Sequence, residues 1–274
     1  MTAVTFDAGR ITPATRPAGA ITAATTVAAR SVRKFVRTPQ LLVISTVTGA
    51  MFLLIFRYVF GGAIETGPVA YVSFMVPGYI VTSVLFTGSN ASSSVAQDLE
   101  EGFTDRLRSL PVSRTAVLAG RVVAETALLT MGLAATTVIG FVVGFRPLGT
   151  PVEALAAFGL TVTFGFAFMW LFVSVGLVAG NVQAAQGLSL LIFPLSFVSS
   201  AMVPVGSMPG WLQPVAEHQP VTVMTNAVRS LALGDPSLAG LPGTTAHYVV
   251  ESLLWAAGLV AVFAPLAVVR FRKV

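Results

Sequence analysis

Between Leu41 and Val269 the sequence is a succession of apolar runs, each close to the ~20 residues that a helix needs to cross a bilayer, joined by short polar connections. The runs fall at about 41–60, 71–95, 117–145, 153–180, 187–204 and 246–269, and their centres carry almost no charge. Only 10% of the 274 residues are charged, 55% are hydrophobic and the mean hydropathy is +0.84. A soluble domain carries roughly 25% charged residues, so a water-soluble fold would leave apolar surface uncovered. The expected fold is an all-α integral membrane protein with six transmembrane helices in one unit, residues 41–269.

The flanks and loops organise this unit. Residues 1–20 mix Thr, Pro, Gly, Ala and Arg without periodicity and read as a flexible cytosolic tail, with no cleavable signal peptide. In 21–38, Ile21, Ala24, Ala28, Val32, Phe35 and Val36 recur at helical spacing, while Arg30, Arg33, Lys34 and Arg37 occupy the remaining surface. This is the pattern of an amphipathic interfacial helix on the inner leaflet. Residues 206–244 are too apolar for a free loop and too interrupted by proline to span, which predicts short re-entrant helices at the external boundary. Residues 270–274 form a basic tail.

The formal net charge is +5. The basic residues sit beside the spans rather than in a soluble stripe, so they mark topology, and no nucleic-acid partner is expected. The segments up to residue 40, from the charged stretch through Arg121, and after Val269 hold most of the Lys and Arg. Only Arg57, Arg146 and Arg229 fall on the other side. The positive-inside rule then places both termini and the stretch 96–115 in the cytoplasm of a bacterial inner membrane and requires an even number of spans.

The chemistry that is absent narrows the function. There is no cysteine, so disulfides and thiolate sites are excluded. The lysines, Lys34 and Lys273, follow no glycine-rich loop, so this chain has no P-loop of its own. HExxH and GxSxG patterns are absent, and His218 and His247 stand apart. No catalytic, cofactor-binding or metal-ligating residue is expected. Glu125 is the one acid well inside a span, and pairing with Arg121 one turn earlier is the simplest reading. A proton-coupled secondary transporter would need Glu125 to titrate; an intramembrane enzyme would need a nucleophile–base spacing that is not found. Asn90 and Ser93 lie in a small polar stretch of the second span, where helix packing is the plainer role. With Phe193 and Phe197 of the fifth span they are the candidates for a substrate path.

The longest charged run between two apolar blocks is 96–115. Leu99, Phe103, Leu107 and Leu110 stand at i, i+4, i+8 and i+11, with Asp98, Glu101, Asp105 and Arg108 opposite, and Pro111 closes the run. This predicts a short helix over 98–111 with an apolar stripe suited to a groove on a cytosolic partner.

Two stretches carry a family resemblance. The run Glu100-Glu101-Gly102 with Asp105-Arg106-Leu107-Arg108-Ser109-Leu110-Pro111-Val112-Ser113-Arg114 resembles the cytosolic motif of type-2 ABC exporter permeases, particularly the daunorubicin-resistance branch. Met208-Pro209-Gly210-Trp211-Leu212-Gln213, Pro220, Arg229-Ser230-Leu231 and Gly234 resemble that family's external segment. The resemblance implies a membrane subunit that pairs with a second permease, identical or paralogous. A dimer of separate ATP-binding subunits would bring the ATP and Mg. Residues 98–111 would be the coupling helix, with Asp98, Leu99, Glu100, Glu101, Gly102, Phe103, Asp105, Arg106, Leu107, Arg108, Leu110 and Pro111 at the ATPase. It implies as cargo an amphiphilic drug, antibiotic or lipid, with export of a polysaccharide or wall polymer as the alternative within the family.

Overall fold

The computed structural model describes residues 39–64, 66, 69–102, 114–238, 241 and 243–273. The described residues are helical throughout, with no strand. Helix α1 spans Pro39–Ile55 and continues as a π-helical turn, Phe56–Phe60. Helices α2 (Tyr71–Glu100), α3 (Arg114–Val143) and α4 (Pro151–Ala179) follow. Two short helices, α5 (Val182–Leu190) and α6 (Pro194–Phe197), precede a 3-10 turn at Val205–Ser207. Helices α7 (Gln213–His218) and α8 (Pro220–Leu233), a second 3-10 turn at Asp235–Leu238 and the long α9 (Thr245–Lys273) complete the chain.

Four helices, α2, α3, α4 and α9, are long and apolar enough to cross a membrane, while Val47–Phe60 and Val182–Phe197 are shorter apolar helical stretches. Many hydroxyl groups in these helices donate to a carbonyl about one turn back. Thr82 donates to the Tyr79 carbonyl (3.1 Å), Ser83 to Ile80 (2.7 Å) and Thr87 to Ser83 (3.0 Å), so that no water is needed where none is present. Helix α4 starts at a capping box: the Thr150 hydroxyl accepts from the Glu153 N–H and the Glu153 carboxylate accepts from the Thr150 N–H, with Pro151 at the first helical position. It ends at Gly180, whose φ of 72° is the left-handed conformation that glycine adopts without strain.

Helix α4 is the hub, packed against α2, α3, α8 and α9. Its Phe164, Phe168 and Phe172, one turn apart, are fully buried. The neighbouring helices approach closely because they present small residues: a methyl group at Gly88 of α2 would fall on the Phe172 ring. On another face, the Ser174 hydroxyl donates across to the Phe263 carbonyl of α9 (3.0 Å).

Successive helices run between two ends. At one end the Arg57 guanidinium lies against Gly144, and the Leu148 and Gly149 N–H groups donate to the Ala232 carbonyl (2.9 and 3.1 Å). At the other, Arg121 meets Asp98, and Glu100 meets Val182. These are called the Arg57 end and the Glu100 end below.

The expected fifth span, 187–204, is not one continuous helix. Helix α5 begins at Val182 and gives way after Leu190 to i→i−3 bonding: Leu191 to Leu188, Ile192 to Ser189 and Phe193 to Leu190. Pro194 has no N–H to offer the Leu190 carbonyl, so the α ladder loses a bond there, although α2 and α9 run on through Pro77 and Pro265. The broken segment still travels far. Its start meets Glu100 and the backbone at Ala201 touches Gly78, so about 19 residues match roughly 22 residues of α2, ~33 Å at 1.5 Å per residue. The excess over an α rise is what 3-10 turns supply.

Two further expectations change. Asp98, Leu99 and Glu100 are not the start of a separate coupling helix but the last turn of α2, which Gly102 closes with a φ of 67°. The segment 206–244, expected to be external, holds not only short surface helices but the 14-residue α8, buried from Val221 through Ser230. The interfacial helix at 21–38 and Phe103, Asp105, Arg106, Leu107, Arg108, Leu110 and Pro111 lie outside the described residues. The basic tail continues α9 to Lys273.

Candidate coupling end and polar cleft

Helix α2 carries both features of the site. In its last two turns Ser94 and Asp98 share the face towards α3, where Arg121 sits. The Arg121 guanidinium donates to the Asp98 carboxylate (2.5 Å) and the Ser94 hydroxyl (2.6 Å), and its Nε lies 3.0 Å from Glu125. One half-buried cation thus faces two acids and locks α2 to α3. Glu125 has the Arg121 partner expected of it. The Asp98 link spans 23 residues of sequence, and no local pattern announced it.

One turn on, Glu100 accepts a hydrogen bond from the Val182 N–H at 3.2 Å, and the Asn181 side chain accepts from Ala184 N–H at 2.8 Å. The first turn of a helix has N–H groups without intrahelical partners, and at α5 one of them is met from α2. Glu101 takes the Gln97 side-chain amide (2.8 Å), and Leu99 packs on the core. Of the residues expected to face a cytosolic partner, Asp98 and Glu100 are thus engaged within the chain.

Between the same two helices lies an open cleft of about 480 Å³. Its polar wall is Ser89, Asn90 and Ser93 of α2 and Gln183 and Gln186 of α5; Gly187, Leu190 and Phe193 complete it. The lining offers hydrogen bonds and no charge. Asn90 is ten residues from the end of α2, or ~15 Å into the helix. Aromatic rings continue from the cleft towards the Arg57 end: Phe193 meets Phe86 edge to face at 4.6 Å, Phe86 meets Phe52 at 6.3 Å, and Phe52 meets Tyr79 at 6.0 Å. Three of the four residues expected on a substrate path, Asn90, Ser93 and Phe193, come together here. Phe197 does not line the cleft and is 73% exposed. Gln183 and Gln186 were missed because 181–186 reads as a polar connection, whereas Asn181 caps a helix that begins at Val182. Among the described residues no group of His, Cys, Asp and Glu is arranged to hold a metal ion.

The sequence matches the family profile described as ABC-2 type transporter over residues 22–233. The chain belongs to the ABC-2 type transporter family. It is 32% identical over 258 residues to the daunorubicin resistance ABC transporter permease protein DrrB1 of Streptomyces coeruleorubidus, covering 93% of this chain and 88% of that one. It is 31% identical over 239 residues to the probable doxorubicin resistance ABC transporter permease protein DrrC of Mycobacterium tuberculosis (strain ATCC 25618 / H37Rv), covering 83% and 82%. Similarity also extends to the putative transport permease ycf38 of Porphyra purpurea, 28% identical over 186 residues, with 64% of this chain and 63% of the relative covered. As an ABC-2 family member with four helices fit to span a membrane, the chain is a membrane permease. The profile covers the last turns of α2, the cleft and α8 alike.

Proposed function

We propose that this permease is the membrane subunit of an ATP-driven exporter that moves a hydrophobic or amphiphilic molecule, a drug, antibiotic or lipid, out of the cytoplasm or inner leaflet. Separate ATP-binding subunits energise it, and a second permease, identical or paralogous, completes the pathway. The cell-membrane location has the Glu100 end and both termini in the cytoplasm, and the broken α5–α6 segment and α1 join the four long helices as six crossings. The relatives named for daunorubicin and doxorubicin resistance support the cargo class. The missing P-loop supports an external energy source, since nothing in the sequence can hold ATP phosphates by that route.

The observation that carries the reading is the cleft and its link to the end of α2. An uncharged polar wall beside a row of aromatic rings suits a molecule with hydrogen-bonding groups on an apolar body. Glu100 ties the end of α2 to α5, one wall of that cleft, so a push on 98–111 moves the wall directly. The residues from Phe103 to Pro111 take the ATPase contact, with Asp98 and Glu100 transmitting it inside the membrane subunit.

The test is reconstitution with a candidate ATP-binding subunit, sought first among the products of neighbouring genes. A stable complex whose vanadate-sensitive ATP hydrolysis rises with amphiphilic drugs, and which accumulates them in inverted vesicles, is the expected result. A complex that forms but neither responds to nor moves any amphiphile would remove the cargo class, and absence of a complex would remove the partner.

A further inference from the structure

Arg229 of α8 is 2% exposed, deep in the Arg57 end of the molecule. Its Nε donates to the Phe74 carbonyl of α2 (3.1 Å), one terminal nitrogen to the Ser200 carbonyl (2.8 Å) and the other to the Asn226 side-chain oxygen (3.3 Å). The guanidinium carbon also lies over the Phe74 ring, 3.6 Å from its centre, a cation–π contact. One side chain therefore joins three segments that are distant in sequence.

Its neighbours show what it closes. Gln219, Thr222, Asn226 and Arg229 recur along one face of α8, and each bonds the irregular chain before it. The Gln219 amide donates to the Leu195 and Val198 carbonyls (both 3.1 Å), the Thr222 hydroxyl accepts from Ser200 N–H (3.1 Å), and the Ser200 hydroxyl donates to Asn226 (2.8 Å). Non-helical backbone at membrane depth needs such partners. Most of this network ties α8 to residues 195–200; Arg229 carries it across to α2, beside the point where Ala201 touches Gly78. The layer sits around residues 74–78 of α2, ~20 Å along the helix from the cleft at 89–93. At this level Phe74, Ser200 and Arg229 are buried against one another, so the face of α2 towards α8 is closed.

We infer that Arg229 is the pin of this layer: a positioning residue that holds α8 and the 195–201 chain against α2, so that release of cargo at the Arg57 end requires its bonds to the Phe74 and Ser200 carbonyls to break. The inference rests on the exporter reading for its purpose, though the closure itself does not. A cation suits a closure that must reopen. Its acceptors are neutral carbonyls, and water recovers a charged group far better than an apolar one once the layer parts.

The chain has no cysteine, so single reporters are clean. Thr225, buried on α8 between Thr222 and Arg229 with its hydroxyl unpartnered, is replaced as Thr225→Cys. The full chain is purified with its ATP-binding subunit in lipid nanodiscs and treated with a charged maleimide. Without ATP, labelling is expected to be slow with Arg229 present and at least tenfold faster in Arg229→Lys, whose ammonium keeps the charge but neither stacks nor forks. Arg229→Ala should behave alike, and Arg229→Lys decides if the alanine variant does not fold. A second reporter, Thr161→Cys in buried α4, should stay slow in every background. Equal labelling of Thr225→Cys with and without the Arg229 change, or a parallel rise at Thr161→Cys that signals general loosening, would overturn the pin. So would transport under ATP during which Thr225→Cys stays protected. Loss of ATP response together with the Arg229-dependent labelling would instead overturn the exporter reading and leave the closure standing.

Discussion

Arg121 sets its charge between two acids, whereas Arg229, 2% exposed, sets its own among neutral oxygens. Arg121 is half-buried, 20% exposed, between Asp98 and Glu125 at 34% and 12%. Exposed ion pairs contribute ~0–1 kcal/mol, but removing this cation strands two acids at the α2–α3 contact. Arg121→Ala is expected to cost about 1–2 kcal/mol, read as a melting temperature several degrees lower in detergent, while Asp98→Asn costs less because Glu125 still holds the guanidinium. Equal melting of Arg121→Ala and the parent would dismiss the lock. The cleft gives a second prediction at this scale. Removing Asn90 or Gln186 as alanine should raise the drug concentration for half-maximal stimulation of ATP hydrolysis about tenfold, the ~1–1.5 kcal/mol of a lost hydrogen bond. Phe197→Ala, outside the cleft, should leave that concentration unchanged. A shift at Phe197 with none at Asn90 would move the cargo path.

At the scale of the element, the close helix contacts depend on missing side chains. A methyl at Gly88 would fall on the Phe172 ring, and overpacking costs ~1–3 kcal/mol. Gly88→Ala should therefore lower the melting temperature and ATP-coupled transport together, and Phe172→Leu in the same chain should restore part of both. No rescue by the second change would place the strain elsewhere. The same elements show what the amino-acid sequence reveals. The long helices α2, α3, α4 and α9 were legible because an apolar run of spanning length has few other uses, while the capping box that starts α4 two residues earlier than its apolar run emerged only in the structure. The break after Leu190 was not legible, since hydropathy is blind to whether a run is α-helical or tightened, and Pro194 alone permits either reading. Nor was the burial of α8. Its polar face, Gln219 to Arg229, looks like a surface pattern until the carbonyls of 195–200 and Phe74 are seen to need it. In the cleft, Asn90, Ser93 and Phe193 were readable as polar or aromatic exceptions within apolar runs, whereas Gln183 and Gln186 required knowing where α5 begins.

Across the whole molecule, the two ends make a sharper demand than the number of helices. Helix α2 alone separates Gly62 from Gln97, and the broken α5–α6 segment alone separates the Glu100 end at Val182 from Ser207. If that segment crosses despite its break, Gly62 and Ser207 share one side of the membrane, and Gln97 and Thr115 share the other. All four positions are exposed, and a chain without cysteine allows each to be tested alone. In intact cells, Gly62→Cys and Ser207→Cys should react with a membrane-impermeant maleimide, while Gln97→Cys and Thr115→Cys should react only after permeabilisation. The charge distribution sets the direction: Arg106, Arg108, Arg114 and Arg121 cluster around the Gln97 side, and only Arg57, Arg146 and Arg229 around the other, the bias that retains the first group in the cytoplasm. Reaction of Gln97→Cys and Thr115→Cys from outside, with Gly62→Cys and Ser207→Cys protected, would invert the orientation. Protection of Ser207→Cys alongside Gln97→Cys would mean that 182–201 enters and returns on one side, and then the cleft it walls would open to the cytoplasm with no path past α8.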